Sequence, residues 1–393
     1  MGRINSWRAL ERVALWGSTA AFGAFYLTLL RRAAWSGPAL GTEANEAPEA
    51  DGPLVSIIVP ARNEAANIEA CVASLLRQDY PHVEVIVADD GSTDATPDLL
   101  AALGRAHPAG ARLRTIRVAA LPPGWAGKPH ALHVGAAAAR GAWLLFTDAD
   151  TLHAPGALSA ALAQAQALHA DLYSLMTAQI LPDFWNRVLM PIAFMGISAQ
   201  YPIRQVNDPR KPLAIANGQY MLIRRAAYDA VGGYASPRLS ASIVDDRDLA
   251  AEVKRAGFRL VLADGRAQVR TRMYRDLAGH WHGWGKNAVA GSRGGPLAFV
   301  GMSLGLLGLS VLPPVLLLAG AALRRRAWVA AGAAQTAATV LYRRQVDGAL
   351  AVPWPYDWTQ PLGGAVFSAI LARAAWRKLA GKGVEWSGRT YPA

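Results

Sequence analysis

Apolar residues follow two different patterns along the chain. Between residues 54 and 287, short Val/Ile/Leu runs alternate with longer Ala/Leu-rich stretches, as expected of a mostly parallel sheet covered by helices. Leu54–Val59, Val83–Ala88, Leu113–Val118, Trp143–Thr147 and Tyr220–Ile223 predict strands. Glu64–Leu76 predicts a helix with Ile68, Val72, Leu75 and Leu76 inward and Cys71 in or beside that face as a small hydrophobe. The fold class expected for this part is α/β, doubly wound.

The flanks read differently. Val13–Leu30 is 18 residues without a charge, bordered by Arg8, Arg12, Arg31 and Arg32. That just reaches membrane-spanning length; a cleaved signal peptide is the competing reading, although no small-residue cleavage site stands out. Further on, uncharged runs of 30, 16 and 15 residues begin at Gly294, Ala327 and Trp358, separated by arginines. These lack the polar faces of a buried bundle and predict membrane helices, Pro313–Pro314 making the first either one kinked span or a re-entrant pair. Basic residues occur on both sides of each run, so charge does not fix the topology. The expected organisation is an anchor over 1–35, a Pro/Gly/acid linker over 36–53, a soluble domain over 54–293, a transmembrane region over 294–378 and a basic tail over 379–393.

Composition sharpens this division. The chain is 52% hydrophobic and only 17% charged, against about 25% charged in ordinary soluble proteins. One cysteine excludes an internal disulfide, and there is no Cys/His zinc framework. The formal net charge of +12 fits an anionic membrane surface or a phosphorylated substrate better than nucleic acid, because the basic residues flank apolar runs instead of interleaving with aromatics.

Acids stand where the predicted strands end: Asp89 and Asp90 after the second, Asp148 and Asp150 after the fourth. Open parallel sheets bind ligands outside the carboxyl ends of their strands. Two carboxylates two residues apart suit Mg2+ or Mn2+ bridging the phosphates of a nucleoside diphosphate. Asp94 reads first as a helix cap. Neither a G-x-G-x-x-G dinucleotide turn after the first strand nor a P-loop occurs.

Six elements occur in order: V-P-A-R-N-E (59–64), V-A-D-D-G-S-T-D (87–94), G-W-A-G-K (124–128), D-A-D (148–150), V-D-D (244–246) and R-M-Y-R (272–275). Together they resemble the inverting glycosyltransferases of family 2, and the apolar tail resembles the membrane-bound bacterial members that glycosylate carotenoid- or hopanoid-type lipids. The resemblance implies a GT-A fold and a nucleotide-sugar donor. It implies that Ala61, Arg62 and Glu64 border the uridine, Asp90 bonds the base, and Lys128 lies near the donor pocket. It further implies that Asp150 ligates the metal, Asp148 serves metal or ribose, and Asp246 is the general base. Asp245 stands where the family has Glu, a shorter arm for a supporting role. The Q-x-x-R-W signature of processive members is absent, which implies transfer of one sugar.

Several residues stay open at this level. Lys128 also reads as a solvated loop lysine. Gly218, with Gln219 after it, either admits a ligand to the backbone or simply turns the chain. Asp248 reads as a first-turn acid. His280 and His282, two apart, point away from each other on a helix and do not share a metal. Trp281 and Trp284 read as interfacial aromatics or an acceptor platform. Phe184–Tyr201 reads as a core helix or an interfacial one. The expected function is a membrane-bound glycosyltransferase moving a sugar from a UDP-sugar to a lipid hydroxyl, isoprenoid-type, at the bacterial inner membrane, multi-pass with a cytoplasmic catalytic domain. Transfer to a polyprenyl phosphate, or an idle sugar-nucleotide-binding membrane protein, are the alternatives.

Overall fold

The computed structural model describes residues 2–34, 37–41, 51–291, 295–382, 384–386 and 389–391, so most of the expected linker lies outside the described residues. Two compact units interleave along the chain: Ser36–Ile180 with Ile203–Met273, and Met1–Trp35 with Leu181–Pro202 and Tyr274–Ala393. This differs from the expected boundaries, which gave residues 54–293 to one domain.

The strands are β1 (Val55–Ala61), β2 (Val83–Asp89), β3 (Leu113–Arg117), β4 (Trp143–Phe146), β5 (Thr151–His153), β6 (Leu172–Met176), β7 (Ala178–Gln179), β8 (Met221–Arg224), β9 (Leu260–Asp264) and β10 (Val269–Thr271). The helices are α1 (Gly2–Ala33), α2 (Ile68–Leu76), α3 (Thr96–Ala106), α4 (Gly127–Ala138), α5 (Ala157–Ala167), α6 (Phe184–Gln200), α7 (Ile203–Val206), α8 (Arg225–Ala230), α9 (Asp245–Arg255), α10 (Leu277–Gly291), α11 (Pro296–Ala322), α12 (Arg326–Ala349) and α13 (Gln360–Leu379).

The mixed unit is built on a seven-stranded sheet of order β3-β2-β1-β4-β8-β6-β9. Strands β1, β2, β3 and β4 run parallel, β6 and β9 likewise, and β8 alone is reversed between β4 and β6. The Val/Ile runs of β1 and β2 are buried on both faces, as their lack of alternation requires. Ile68, Cys71, Val72 and Leu75 of α2 are fully buried against this sheet. On the other face, Gly135 lets α4 approach closely, since a Cβ there would lie 2.5 Å from Ile58 Cγ2. A second sheet of order β5-β10-β7 follows directly on Asp150. It pins that turn, because β10 pairs antiparallel to β5 and Arg272 N–H reaches the Asp150 carbonyl at 3.4 Å.

The helical unit packs α6 with α1, α10, α12 and α13, and α11 with α12 and α13. This is why residues 181–202 leave the α/β unit: the apolar side chains Val188, Leu189, Ile192 and Met195 find their burial among helices. Among the described residues two helices are long and apolar enough to cross a membrane, Leu10–Arg32 and Pro296–Ala322. The second is a single helix through Pro313–Pro314, not a re-entrant pair. It leaves Leu297, Leu304, Leu312, Val315 and Leu318 exposed, an apolar surface that suits lipid. Helices α12 and α13, whose short uncharged runs leave the number of spans open in the sequence, do not pass the same test; α12 carries Arg343, Arg344 and Asp347 within its length.

One polar network joins four of these helices. Pro191 has no N–H for the Arg187 carbonyl one turn before it in α6. Arg343 of α12 supplies the missing donor: Nη2 bonds Arg187 O at 2.8 Å and Nη1 reaches Val188 O at 3.3 Å. The same guanidinium bonds Asp347 Oδ1 at 2.8 Å and Gln360 Oε1 at 3.3 Å. Gln360 in turn donates to Ser310 Oγ of α11 at 3.1 Å. Arg343 is wholly buried, and its burial is satisfied by acceptors on every side.

Candidate active site

Because β1, β2 and β4 run parallel, their carboxyl ends open on one edge of the sheet. Ala61 closes β1, and its carbonyl accepts from Asp90 N–H at 2.8 Å. Arg62 Nη1 donates to the Asp90 carbonyl at 2.9 Å and lies 3.6 Å from its carboxylate. The two loops are cross-tied. Asn63, in the left-handed region at φ 56°, donates from its N–H to Ser92 Oγ and accepts on Oδ1 from Thr93 N–H. Glu64 N–H bonds Thr96 Oγ1, and Asp94 takes Ala65 N–H on one oxygen and Thr96 N–H on the other. Asp94 is therefore a loop tie, its carboxyl held below the usual range first by its bond from Thr96. Ala61, Arg62, Glu64 and Asp90 all line this edge.

Next to it stands the acid pair after β4. Asp148 Oδ1 lies 2.6 Å from Lys128 Nζ. Asp150 makes no ion pair among the described residues: burial, then the charges of Asp148 and Glu64, push its carboxyl up to about 8 against the lowering effect of Lys128. The Cys71 thiol reaches the Asp148 carbonyl at 3.6 Å, and burial raises its pKa, so it is inert packing.

Lys128, at the start of α4, turns from Asp148 toward a second acid pair. Its Nζ is 3.8 Å from Asp245 Oδ1. Burial opposes its charge, but the carboxylates of Asp148, Asp245 and Asp246 outweigh that and raise its pKa. The bland reading of Lys128 as a solvated loop lysine does not hold. Asp245 is buried and accepts from the Tyr234 hydroxyl at 3.3 Å. Asp246 accepts from its neighbour Arg247 N–H at 2.7 Å on Oδ1 and from Gly218 N–H at 3.1 Å on Oδ2. Gly218 is thus more than a turn. A Cβ there would sit 3.3 Å from Lys128 Nζ and 3.4 Å from Asp246 Oδ2.

Gln219 has a different place. Its buried amide oxygen accepts from Thr177, from Gln179 at 3.2 Å and from Asn217 at 3.4 Å. Its side chain is committed to holding the turn before β8. Asp248 sits in the first turn of α9 and accepts from Ser242 Oγ at 2.7 Å. His280 is buried on Asn186 of the helical unit while His282 is exposed on its own helix, so the pair shares no ligand. Of the two tryptophans on α10, Trp284 is buried with Tyr274 and Phe367. Sequence reasoning missed Tyr234, which supports Asp245, and Asn63, which knits the loops. The N-E and S-T-D strings carried the second signal; nothing in the sequence carried the first.

Among the described residues no three His, Cys, Asp or Glu side chains gather as a metal site. A divalent ion fits nonetheless, because Asp150 is a carboxylate crowded by carboxylates, and Mg2+ or Mn2+ needs only one or two such oxygens beside phosphates and water.

Residues 56–232 match the model of "Glycosyl transferase family 2". The chain is 30% identical over 201 residues to a beta-monoglucosyldiacylglycerol synthase of Nostoc sp., covering 50% of this chain and 40% of that one. It is 28% identical over 243 residues to a 4,4'-diaponeurosporenoate glycosyltransferase of Staphylococcus aureus, covering 61% and 62%. A solved mannosyltransferase of Pyrobaculum calidifontis, in complex with GDP-Man and Mn2+, matches at TM-score 0.53 and 22% identity over 94% of this chain and 97% of that one, which shows the fold. Residues 56–232 are therefore similar to the family 2 glycosyltransferases, and the chain shares the fold of the solved mannosyltransferase.

Proposed function

We propose that the chain is an inverting, non-processive glycosyltransferase that moves a sugar from a nucleotide sugar, UDP-linked, to the hydroxyl of a membrane lipid of isoprenoid type. One observation carries this reading: Lys128 stands 2.6 Å from Asp148 on the donor side and 3.8 Å from Asp245 on the acceptor side. Two acid pairs with different tasks meet at one ammonium. The lipid acceptor is supported by relatives named for a diacylglycerol glucoside and for diaponeurosporenoate. The exposed apolar lengths of α1 and α11 support a membrane anchor, which we assign to the bacterial inner membrane, multi-pass, with the catalytic unit cytoplasmic.

In this reading Ala61, Arg62, Glu64 and Asp90 seat the base, and Asp150 with Asp148 holds Mg2+ or Mn2+. When bound, that ion neutralises charge developing on the departing diphosphate. Asp246, fixed by two backbone N–H groups, accepts the proton of the acceptor hydroxyl as its oxygen bonds to the anomeric carbon. The bond from that carbon to the diphosphate breaks, and the diphosphate leaves with the electron pair. Asp245 positions this turn through Tyr234.

Purified full chain in detergent, given UDP-sugars, Mn2+ and a lipid extract, should yield a lipid heavier by one sugar in mass spectrometry. Asp246→Asn should lower kcat by about a thousandfold while leaving UDP binding in place. Full turnover in that variant would reject the base.

A further inference from the structure

We propose that Lys128 makes metal binding depend on nucleotide binding: its ammonium stands where positive charge is needed between the two acid pairs, opposing a divalent ion that arrives alone and favouring one that arrives with a diphosphate. The inference rests on the glycosyl-transfer reading and extends it to the order in which the donor site fills.

The geometry leaves the ammonium little choice. It touches Asp148 at 2.6 Å and approaches Asp245 at 3.8 Å. On another side Gly218 closes in, with room of 3.3 Å from a Cβ position to Nζ, and Asp246 lies just beyond it. Asp148 is both the partner of Lys128 and one of the two oxygens offered to the metal. A divalent ion alone must share that carboxylate with a fixed like charge, which weakens it. A nucleoside diphosphate reverses the sign, because its phosphates give the ammonium a further anionic partner as the ion draws on Asp148. Coupling of this kind is reciprocal: if nucleotide strengthens metal, metal strengthens nucleotide by the same factor.

A lysine that merely held the fold together would show no such split. Replacing it would lower stability, and any change in binding would take the same sign for metal and nucleotide. Charge coupling requires opposite signs.

The test uses the full chain in detergent, with Mn2+ alone, UDP alone and both together, read by calorimetry and by the electron paramagnetic resonance of free Mn2+. In the wild type, UDP should tighten Mn2+ by about tenfold or more. In Lys128→Gln, Mn2+ alone should bind about tenfold tighter and UDP in saturating Mn2+ about tenfold weaker. Lys128→Arg, which keeps the charge, should keep the wild-type pattern. Unchanged or weaker Mn2+ binding by Lys128→Gln would overturn the proposal. So would wild-type coupling below about twofold, a result that needs no variant to fold. Failure of wild type to bind Mn2+ in any combination would overturn it together with the transferase reading, whereas Mn2+ and UDP binding without coupling would overturn the role of Lys128 alone.

Discussion

Two cations, one in each unit, show how differently burial can be used. Arg343 lies at 0% exposure in the helical unit, with Asp347 and three carbonyl or amide oxygens fixed around it. Lys128 keeps 37% of its side chain exposed and faces Asp148, Asp245 and Asp246 together. In the first arrangement every bond of the guanidinium is made within the helices, to the Asp347 carboxylate, the Gln360 amide oxygen and the carbonyls of Arg187 and Val188. The second is open: one half-exposed ammonium faces three carboxylates. The first set holds helices together, and the second is the one proposed to receive a ligand.

The largest effect should come from breaking the first set. Arg343→Ala leaves Asp347 and the Arg187 carbonyl buried without their donor, at a cost of about 3–5 kcal/mol. Pro191→Ala restores the N–H that the carbonyl lacks, so the double variant should be less destabilised than the sum of the singles, read from denaturant midpoints. Strict additivity would show that Arg343 does not serve the proline gap.

A smaller effect separates charge from burial within the mixed unit. His153 is buried, its pKa pushed down to about 3 by burial, with Thr147 Oγ1 3.1 Å from its ring. The unfolded chain takes that proton below about 6.5 while the folded chain does not, so stability present above 6.5 falls as pH drops toward 3, by up to about 1.4 kcal/mol per pH unit. In His153→Gln that slope should flatten in unfolding measured at pH 7, 6, 5 and 4. An unchanged slope would place the acid sensitivity elsewhere.

The smallest tests the open set by crowding it. Gly218→Ala should lower kcat about tenfold, since its methyl would press on both Lys128 and Asp246. The melting temperature should move little, because the new contacts are with side-chain ends. Full activity would mean that the gap at Gly218 is not used.

What could be read from sequence follows the range of the forces involved. Strand runs and the acids that end them are local, and Asp90, Asp148, Asp150 and Asp246 were singled out that way, through their motif strings. The reversal of β8 was not legible, for its Met-Leu-Ile-Arg string is as apolar as a parallel neighbour. Nor was the transfer of α6 to the helical unit, which depends on partners more than a hundred residues away. Two of the partners of Arg343 are backbone carbonyls, and a carbonyl leaves no letter in the sequence. Gln219 shows the same limit: its amide oxygen accepts from Thr177, Gln179 and Asn217, none of which its own motif string names.

The ties between Asn63, Ser92, Thr93, Thr96 and Asp94 have a kinetic consequence. Two loops already laced to each other surrender little conformational entropy when a nucleotide arrives. Association should then proceed at a rate set by diffusion and orientation, and specificity for the base should appear in how slowly it departs.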